Sequence, residues 1–496
     1  MRVLKLISLA VAVAYVVSSC SFFKKGGGDV SATTGWEYNN PDNGGFEVAA
    51  EAEQATGPGL VLIEGGAFTM GRVEQDVMYE WNNLPRRVTL PSFYMDQTEI
   101  CNVDYREYLY WVRRVFVDYP EVYMKALPDT LVWRRRLAYN EPYVEYYLRH
   151  PAYNKYPVVG VSWLQADAYC TWRTDRVNEQ ILIDEGFLEL NPAQLGEDNF
   201  NTEAYYAGQY EGMTKKKIKS MDPNKEDRNV SMSDGIMLPR YMLPTEAEWE
   251  YAALAIIGNS IDERIYNRKL YPWSGHYLRN PDKASLGQFA ANFQRGRGDM
   301  MGIAGYLNDN AAITSPVDGY WPNDFDLYCM AGNVNEWVRD VYRPLSAADV
   351  EGFRPFRGNV FKVVERDADG RIAEKDSLGR IKYRPIKDEE AVGRVNYQKS
   401  DNINYLDGDI RSRVEPDWNV EDPKGSTAMY YQGKGEKGDG MTSLINDRAR
   451  VYKGGGWRDR AYWLVPGTRR FLDEAKSSDD IGFRCSMIRV GSTTGL

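Results

Sequence analysis

The chain has 496 residues, a formal net charge of −10 and a hydrophobic content of 43%. It is long enough for one large domain or two ordinary ones, with enough apolar side chains to fill a core. The acidic balance excludes the basic surface of a nucleic-acid-binding protein, so we expect no nucleic acid among its partners. The two histidines, His150 and His276, stand alone in the sequence, which argues against a zinc site.

The first twenty residues have the pattern of an export signal. A basic start (Arg2, Lys5) precedes an apolar run, 6–17, that is too short to cross a bilayer. Small residues then precede Cys20, and this resembles the lipobox of bacterial lipoproteins. We therefore expect residues 1–19 to be a lipoprotein signal peptide and Cys20 to carry the lipid anchor. The alternative is an ordinary signal peptide with an incidental cysteine.

Residues 20–57 are predicted to form a flexible tether, because glycine, asparagine and other polar residues offer little to bury there. Ser21 follows the anchor in place of the aspartate that retains lipoproteins at the inner membrane. Lys24 and Lys25 stand in place of the acidic cluster that directs Bacteroidetes lipoproteins to the cell surface. These sorting signals predict the periplasmic face of the outer membrane as the location.

From 58 to 490, short strands and isolated helices are predicted without regular βαβ alternation, which favours an α+β fold. Helices are predicted after Asn102, Ser162 and Thr245, each of which is expected to be an N-cap, and Thr245 and Glu248 are expected to form a capping box. Polar or irregular stretches at about 118–156, 191–235 and 344–446 are predicted insertions, with hairpins at Asp369-Gly370 and Asp407-Gly408. Strands are predicted at 60–63, 67–71, 88–90, 93–95, 158–161 and 451–455, with a last regular segment at 481–485.

Four cysteines remain once Cys20 is assigned to lipid: Cys101, Cys170, Cys329 and Cys485. In an oxidising compartment they are compatible with no disulfide, one or two. Cys170 shares a predicted helix face with apolar neighbours, so it is interpreted as a core residue and not as a reactive thiol.

Seven short motifs occur in a fixed order along the chain. They are Ile63-Glu64-Gly65-Gly66-Ala67-Phe68-Thr69-Met70-Gly71, Met95-Asp96-Gln97-Thr98-Glu99, Pro157-Val158-Val159-Gly160-Val161-Ser162-Trp163, Leu243-Pro244-Thr245-Glu246-Ala247-Glu248-Trp249-Glu250-Tyr251-Ala252, Met330-Ala331-Gly332-Asn333-Val334-Asn335-Glu336-Trp337, Gly454-Gly455-Gly456-Trp457 and Gly482-Phe483-Arg484-Cys485. In this order they resemble the formylglycine-generating-enzyme (sulfatase-modifying-factor) domain. The resemblance implies an α+β, C-type-lectin-like fold over 58–490, with large insertions.

The resemblance also locates the catalytic positions of that family. Its enzymes bind copper through two cysteines that follow the Gly-Gly pair, and soft thiolate ligands suit Cu(I). Counting from Gly455, these positions fall on Asp459 and Leu464. We therefore expect no catalytic cofactor and no enzymatic activity, because fold does not carry function without its site.

The resemblance implies a structural calcium site as well. The family's ligands, an asparagine, the following carbonyl, an aspartate and a carbonyl two residues on, fall on Asn292, Phe293, Asp309 and Ala311, and hard oxygen ligands suit Ca²⁺. The alternative is that Asn292 and Asp309 only organise loops. A second family calcium site is not expected, because Cys329 stands where that site needs an oxygen.

Four further segments resemble the gliding-motility and type IX secretion lipoproteins of Bacteroidetes, a group that includes GldJ and GldK. This resemblance implies a non-enzymatic component of that machinery, with GldK and GldN-like ring proteins as partners. Two alternatives remain, a glycan- or peptide-binding lipoprotein with a lectin-like fold and a divergent enzyme of the formylglycine-generating family. The segments are 70–77, 129–134, 147–151 and 171–179, the last three closer to GldJ.

Overall fold

The computed structural model describes residues 30–72, 82–221, 226–257, 269–273, 275–295, 311–342, 355–358, 362–385 and 448–491. The predicted signal peptide, Cys20, Asp309 and the Asp407-Gly408 turn lie outside these ranges. In the ranges that are described, no helix is both long enough and apolar enough to span a bilayer.

The described elements are short and mixed in type. The helices are α1 (Asn102–Val115), α2 (Pro120–Ala126), α3 (Glu141–Tyr146), α4 (Trp163–Asp184), α5 (Thr202–Tyr206) and α6 (Glu246–Leu254). The strands are β1 (Leu60–Ile63), β2 (Gly66–Met70), β3 (Arg86–Leu90), β4 (Phe93–Asp96), β5 (Asn335–Val341), β6 (Lys362–Val364), β7 (Tyr383–Pro385), β8 (Ala449–Lys453), β9 (Arg470–Asp473), β10 (Ile481–Gly482) and β11 (Ser486–Ile488).

These strands form small sheets in place of one continuous layer. One has the order β1-β4-β11 and another the order β10-β5-β8-β9, while β2 pairs with β3 and β6 with β7. Pairing is antiparallel except between β10 and β5. Because helices and mainly antiparallel strands occur without βαβ alternation, the predicted α+β class is confirmed.

Helices α1 and α4 carry the largest aromatic core. The Tyr105 ring of α1 stacks on the Tyr169 ring of α4 with centroids 5.7 Å apart. The prediction that Asn102 caps α1 is wrong by one residue, because Cys101 is the N-cap and its backbone N–H donates to Asp104. Asn102 instead donates to the backbone carbonyls of Tyr147 and Tyr153, at 3.1 and 3.0 Å.

The N-termini of α4 and α6 form as predicted. Ser162 caps α4 in a capping box with Gln165, and Thr245 caps α6 in a box with Glu248. The strand predicted at 158–161 is absent from the structure. The backbone N–H of Val158 donates to Ile100, and that of Gly160 donates to Ser478, so two separate segments satisfy this stretch and no sheet forms.

The first insertion, 118–156, is more helical than predicted. It contains α2, α3 and 3-10 turns at Thr130–Trp133 and Pro151–Tyr153. Trp133, Val144 and Tyr147 are buried in one cluster with Val334 and Trp457 of the main domain. The insertion therefore packs on the domain through its own aromatic residues.

The second insertion, 191–235, builds a small apolar core. It contains α5, and its buried residues pack with the end of α4. This cluster consists of Leu182, Phe187, Leu188, Phe200, Tyr205, Tyr210, Val230 and Met237. The third insertion is described only in part. The predicted turn at Asp369-Gly370 lies in the segment between β6 and β7 and closes the antiparallel bridge between Arg366 and Ile372.

Residues 47–54, here called the strap, lie against the domain, although a flexible tether was predicted up to 57. Glu47 forms an ion pair with Arg228 of the second insertion at 2.7 Å. Glu53 pairs with Arg489 at 2.6 Å. The Gln54 side chain donates to the carbonyl of Ile488 at 3.2 Å and accepts from the Val490 N–H at 2.6 Å.

The four cysteines outside the lipid position are all buried. Cys170 on α4 is fully buried, in agreement with its predicted core position. Its sulfur lies 3.4 Å from that of Cys485, and burial raises the pKa of the Cys170 thiol well above its ordinary value.

Candidate functional site

Segments that are distant in the sequence meet at one end of the β5-β8-β9 sheet. Asn335 is the first residue of β5 and Arg470 is the first residue of β9. Asp459 lies in the loop after β8, and Asp480 immediately precedes β10. With the neighbouring charged side chains they form what we call the arginine–aspartate network, which consists of Arg135, Arg458, Arg470, Asp459, Asp479, Asp480 and Asn335.

The loop after β8 turns sharply at two glycines. Gly454 and Gly455 have φ values of +100° and +73°. A Cβ at Gly455 would lie 2.9 Å from the carbonyl oxygen of Trp463, so this close approach requires glycine. The turn places Asp459 beside the first residues of β5 and β9.

Asp459 is held by a two-pronged ion pair. Its two carboxylate oxygens accept from the terminal nitrogens of Arg470 at 2.8 and 2.6 Å. The Gly456 N–H donates to Oδ2 at 2.8 Å, and Nδ2 of Asn335 donates to the same oxygen at 3.1 Å. Arg470 also donates to Oδ1 of Asn335, so the three side chains form a closed ring.

The other half of the network surrounds Arg458. Its guanidinium pairs with Asp480 at 2.7 Å and with Asp479 at 2.8 Å. Arg135 of the first insertion pairs with the second oxygen of Asp479. Asn335 joins the two halves, because its Nδ2 also donates to the backbone carbonyl of Asp480 at 3.1 Å.

Aromatic rings border this network. The guanidinium of Arg470 lies 4.4 Å from the ring centre of Trp463, within cation–π range. Trp457 stacks on Trp133 of the first insertion with ring centroids 6.1 Å apart, and Arg135 lies 5.6 Å from the ring of Trp457. One aromatic and one charged residue of the insertion therefore contact the site.

The pKa values of the carboxylates shift in opposite directions in the two halves of the network. Burial acts to raise the pKa of Asp459, but the hydrogen bonds and charge of Arg470 outweigh it and hold that pKa below its ordinary value. Burial dominates at Asp479 and raises its pKa despite Arg458 and Arg135. Asp459 is thus a carboxylate committed to an ion pair, which makes it a poor general base.

Leu464, which the motif resemblance assigns to the second copper-binding position, is apolar. Leu464 ends a 3-10 helix (Ala461–Leu464) and is fully buried. Its buried neighbours are Tyr271, Phe289, Ala291, Phe293, Ala331 and Val465. A paired carboxylate and an aliphatic side chain do not fit Cu(I), which needs soft sulfur ligands.

The predicted calcium ligands are brought together only in part. Nδ2 of Asn292 donates to the carbonyl of Ile313 at 2.8 Å, so the segment that carries Asn292 and Phe293 adjoins the one that follows Ala311. Asp309 lies outside the described residues. Across the described part of the chain, no group of three or more His, Cys, Asp or Glu side chains could hold a metal ion. The calcium site, which relies on backbone carbonyls and Asp309, remains a prediction.

The segment of the second family calcium site has other contacts. Glu336 is fully buried, and its oxygens accept from Arg484 at 2.6 and 2.7 Å and from the Trp249 indole at 2.7 Å. Asn333 donates to Glu99 at 2.7 Å. Cys329 contacts the carbonyl of Val317 through its sulfur at 3.5 Å. These side chains therefore support the fold around Arg484.

Sequence reasoning located Asp459 and Leu464 but missed the partners of Asp459. Arg470 follows eleven residues later, and Asn335 precedes it by more than one hundred residues. Arg135 and Trp133 of the first insertion were also missed. The available signal was the density of Arg and Asp between 458 and 480, which follow the buried glycine turn.

Comparison with known proteins identifies the family. The sequence model of the "Sulfatase-modifying factor enzyme 1-like domain" matches residues 45–385, which is more than half of the chain. The chain belongs to this family. The match ends at 385. The assignment of Asp459 and Leu464 to the copper positions therefore rests on the Gly454-Gly455 motif.

The relatives within this family include proteins with different names. The "Formylglycine-generating enzyme" of Mus musculus is 24% identical over 298 residues, 57% of this chain and 58% of that protein. The "Inactive C-alpha-formylglycine-generating enzyme 2" of Mus musculus is 24% identical over 314 residues, 58% of this chain and 71% of that protein. The "Chaperone protein LppX" of Paenibacillus barcinonensis is 24% identical over 282 residues, which are 56% of this chain and 70% of that protein. The chain spans less than two thirds of the first of these.

The family prediction is therefore confirmed, and the sulfatase-modifying-factor domain accounts for the mixed small sheets and helices. The family contains a member named inactive beside members named enzymes. Membership of this family therefore establishes the fold. It does not establish an activity, which depends on the residues of the site.

Proposed function

We propose that this sulfatase-modifying-factor domain is non-enzymatic and acts as a structural or assembly component. The observation that carries the proposal is the pair of residues at the copper positions, an Asp459 locked to Arg470 and a buried Leu464. Neither supplies thiolate sulfur. The relatives named inactive and chaperone support a non-catalytic use of the domain.

The proposed setting is the type IX secretion and gliding-motility machinery of Bacteroidetes, with GldJ as the proposed counterpart and its paralogue GldK as the second candidate. The motifs at 129–134 and 147–151 support this assignment. Both lie in the first insertion, which contacts the arginine–aspartate network through Trp133 and Arg135. GldK and GldN-like ring proteins are the proposed partners, and no nucleic acid is expected.

The proposed location is the periplasmic face of the outer membrane, with Cys20 as the lipid anchor. The three consecutive glycines, Gly26, Gly27 and Gly28, suit a flexible spacer between lipid and domain. Several acyl chains on one cysteine would give stable anchoring. The calcium site at Asn292, Phe293, Asp309 and Ala311 is proposed as structural.

A deletion strain tests the assembly role. We expect loss of both secretion and gliding, and co-purification of the wild-type chain with GldK and GldN. Normal secretion and gliding in the deletion strain would overturn the proposal. Cys20→Ala is expected to release a folded, soluble chain that fails to complement the deletion, and full complementation would contradict the role of the anchor.

The divergent-enzyme alternative has a direct assay. The purified chain is incubated with copper, a reductant and a cysteine-containing sulfatase peptide, beside an active enzyme of the family as positive control. We expect the peptide cysteine to keep its mass. Conversion of that cysteine to formylglycine would overturn the non-enzymatic proposal.

An open surface groove within residues 31–46, the segment before the strap, favours the glycan- or peptide-binding alternative. It has a volume of about 370 Å³, with three aromatic rings and a carboxylate among its lining residues, a combination that suits small polar ligands. A glycan array with the wild-type chain and with Trp36→Ala tests it. Specific binding that Trp36→Ala removes would favour this alternative. The lining residues are Ser31, Thr34, Trp36, Glu37, Tyr38, Asn43 and Phe46.

A further inference from the structure

A short turn in the first insertion is exposed and apolar at its tip. Residues 134–139 connect the 3-10 helix Thr130–Trp133 to the segment before α3. Leu137 is fully exposed, and Tyr139 is 82% exposed. Leu137 has a φ of +64°, a left-handed conformation that an L-leucine adopts only at a steric cost. Core packing does not explain a strained leucine in solvent.

The turn is held at both ends. Trp133 is buried and stacks on Trp457, and Nδ2 of Asn140 donates to the carbonyl of Trp133 at 2.9 Å. Arg134 pairs with Glu141 across the turn at 2.8 Å. Arg135 pairs with Asp479 in the arginine–aspartate network. The tip is thus presented in one conformation, which reduces the entropy lost when a partner binds.

The tip also carries charge of one sign. Arg136 is exposed next to Leu137, so a guanidinium, an aliphatic side chain and a phenol lie on consecutive or near-consecutive residues. Tyrosine and arginine are enriched at the energetic centres of protein interfaces. A guanidinium at such a tip favours a partner surface that carries carboxylates.

We propose that the 134–139 turn is a protein-contact site, in which Leu137 enters an apolar pocket of a partner protein while Arg136 and Tyr139 contact an acidic rim. This inference rests on the proposed function, because it assigns the contact surface of the proposed assembly component. A bilayer surface fits this turn less well than a partner protein does. Membrane-surface elements present a continuous apolar face, whereas this tip is a fixed turn with a single aliphatic side chain.

Photocrosslinking in cells tests the contact with the full-length chain. Benzoylphenylalanine is placed at Tyr139, and the same amino acid at Met232, which is exposed on the second insertion, is the matched control. We expect Tyr139→benzoylphenylalanine to give one predominant crosslinked protein, attached at an apolar pocket flanked by Asp or Glu. In that background, Leu137→Asp should lower the yield about tenfold or more, and Arg136→Glu should lower it less and depend on salt.

Several results would overturn the contact site. They are crosslinks to lipid, to a second copy or to the same chain, an equal crosslink from position 232, or no effect of Leu137→Asp in a variant with a wild-type melting temperature. If these occur while the deletion still abolishes secretion and gliding, the contact site fails and the proposed function stands. If the deletion strain secretes and glides normally, the proposed function fails whatever the crosslink.

Discussion

Two groups of charged residues in this chain are enclosed to different degrees. Behind α6, Lys453 is fully buried and contacts Glu246 at 3.2 Å and Glu250 at 2.9 Å, and Arg469 pairs with Glu246 at 2.7 Å. In the arginine–aspartate network, the Arg470 side chain stays 21% exposed. The inner group is part of the core. The outer group includes Asp459, which the motif resemblance assigns to a copper position, and its arginine side chains stay partly exposed while Asp479 and Asp480 are buried.

The difference separates two uses of charge in one fold. A buried group must be complete, because an unpaired charge in the core is strongly destabilising. In a partly exposed network, water can solvate the charge that a substitution leaves without its partner, so the loss of stability is smaller. The comparison predicts that substitutions in the inner group lower the free energy of unfolding strongly, whereas substitutions in the outer group lower it less.

The largest effect is expected for Lys453→Met. The substitution leaves two buried carboxylates with less positive charge, which should lower the free energy of unfolding by about 3–5 kcal/mol. Denaturant-induced unfolding followed by circular dichroism measures it. The double variant Lys453→Met, Glu250→Gln is the control, since it removes a negative charge as well and should recover part of the loss. A loss below about 1 kcal/mol for the single variant would contradict the comparison.

Arg470→Met should have a smaller effect. It removes the two hydrogen bonds to Asp459, and we expect a loss of about 1–2 kcal/mol, reduced from the buried-pair value by the exposure of the guanidinium. The loss should shrink in high salt, which screens exposed pairs. Arg460→Met, at an exposed neighbour in the same loop, is the matched control and should change stability by less than about 0.5 kcal/mol.

The smallest effect is expected for Asp459→Asn, in the pH dependence of the free energy of unfolding. The pKa of Asp459 is lowered in the folded chain, so its charge stabilises the fold above its ordinary pKa, and that contribution is lost as the pH falls through the folded value. Unfolding free energies of wild type and variant should therefore differ at neutral pH and converge in acid. A difference that grows as the pH falls would contradict the assigned ion pair.

Local patterns predicted the elements whose contacts are local. The capping boxes at Ser162 and Thr245 were found because each side chain bonds a residue three positions away. Features whose hydrogen-bond partners lie far away in the sequence were not predicted. Asn102 was taken as a cap, yet its amide bonds carbonyls of the first insertion. Residues 158–161 have a strand-like composition, but their backbone partners come from Ile100 and Ser478.

For the candidate site, the sequence pointed to Asp459 and Leu464 through the motif resemblance, but it did not predict the side chains around them. The Gly454-Gly455 motif located Asp459 because the spacing is short. Its ion pair with Arg470 depends on how β8 and β9 pair, and the stacking of Trp133 on Trp457 joins residues more than three hundred positions apart. The strap was missed for the same reason, since Glu47 is held by distant residues of the second insertion, Arg228, Met221 and Ser220.

The strap has a mechanical consequence. A pulling force applied at residue 30 reaches the ion pair of Glu47 with Arg228 first, and then the contacts of Glu53 and Gln54 with residues 488–490. After both have broken, the load would reach Pro58, whose carbonyl accepts from Arg173 at 2.7 Å, and then β1 and the core. The two contacts are thus sacrificial linkages in series, which would let the chain lengthen under tension while the domain stays folded.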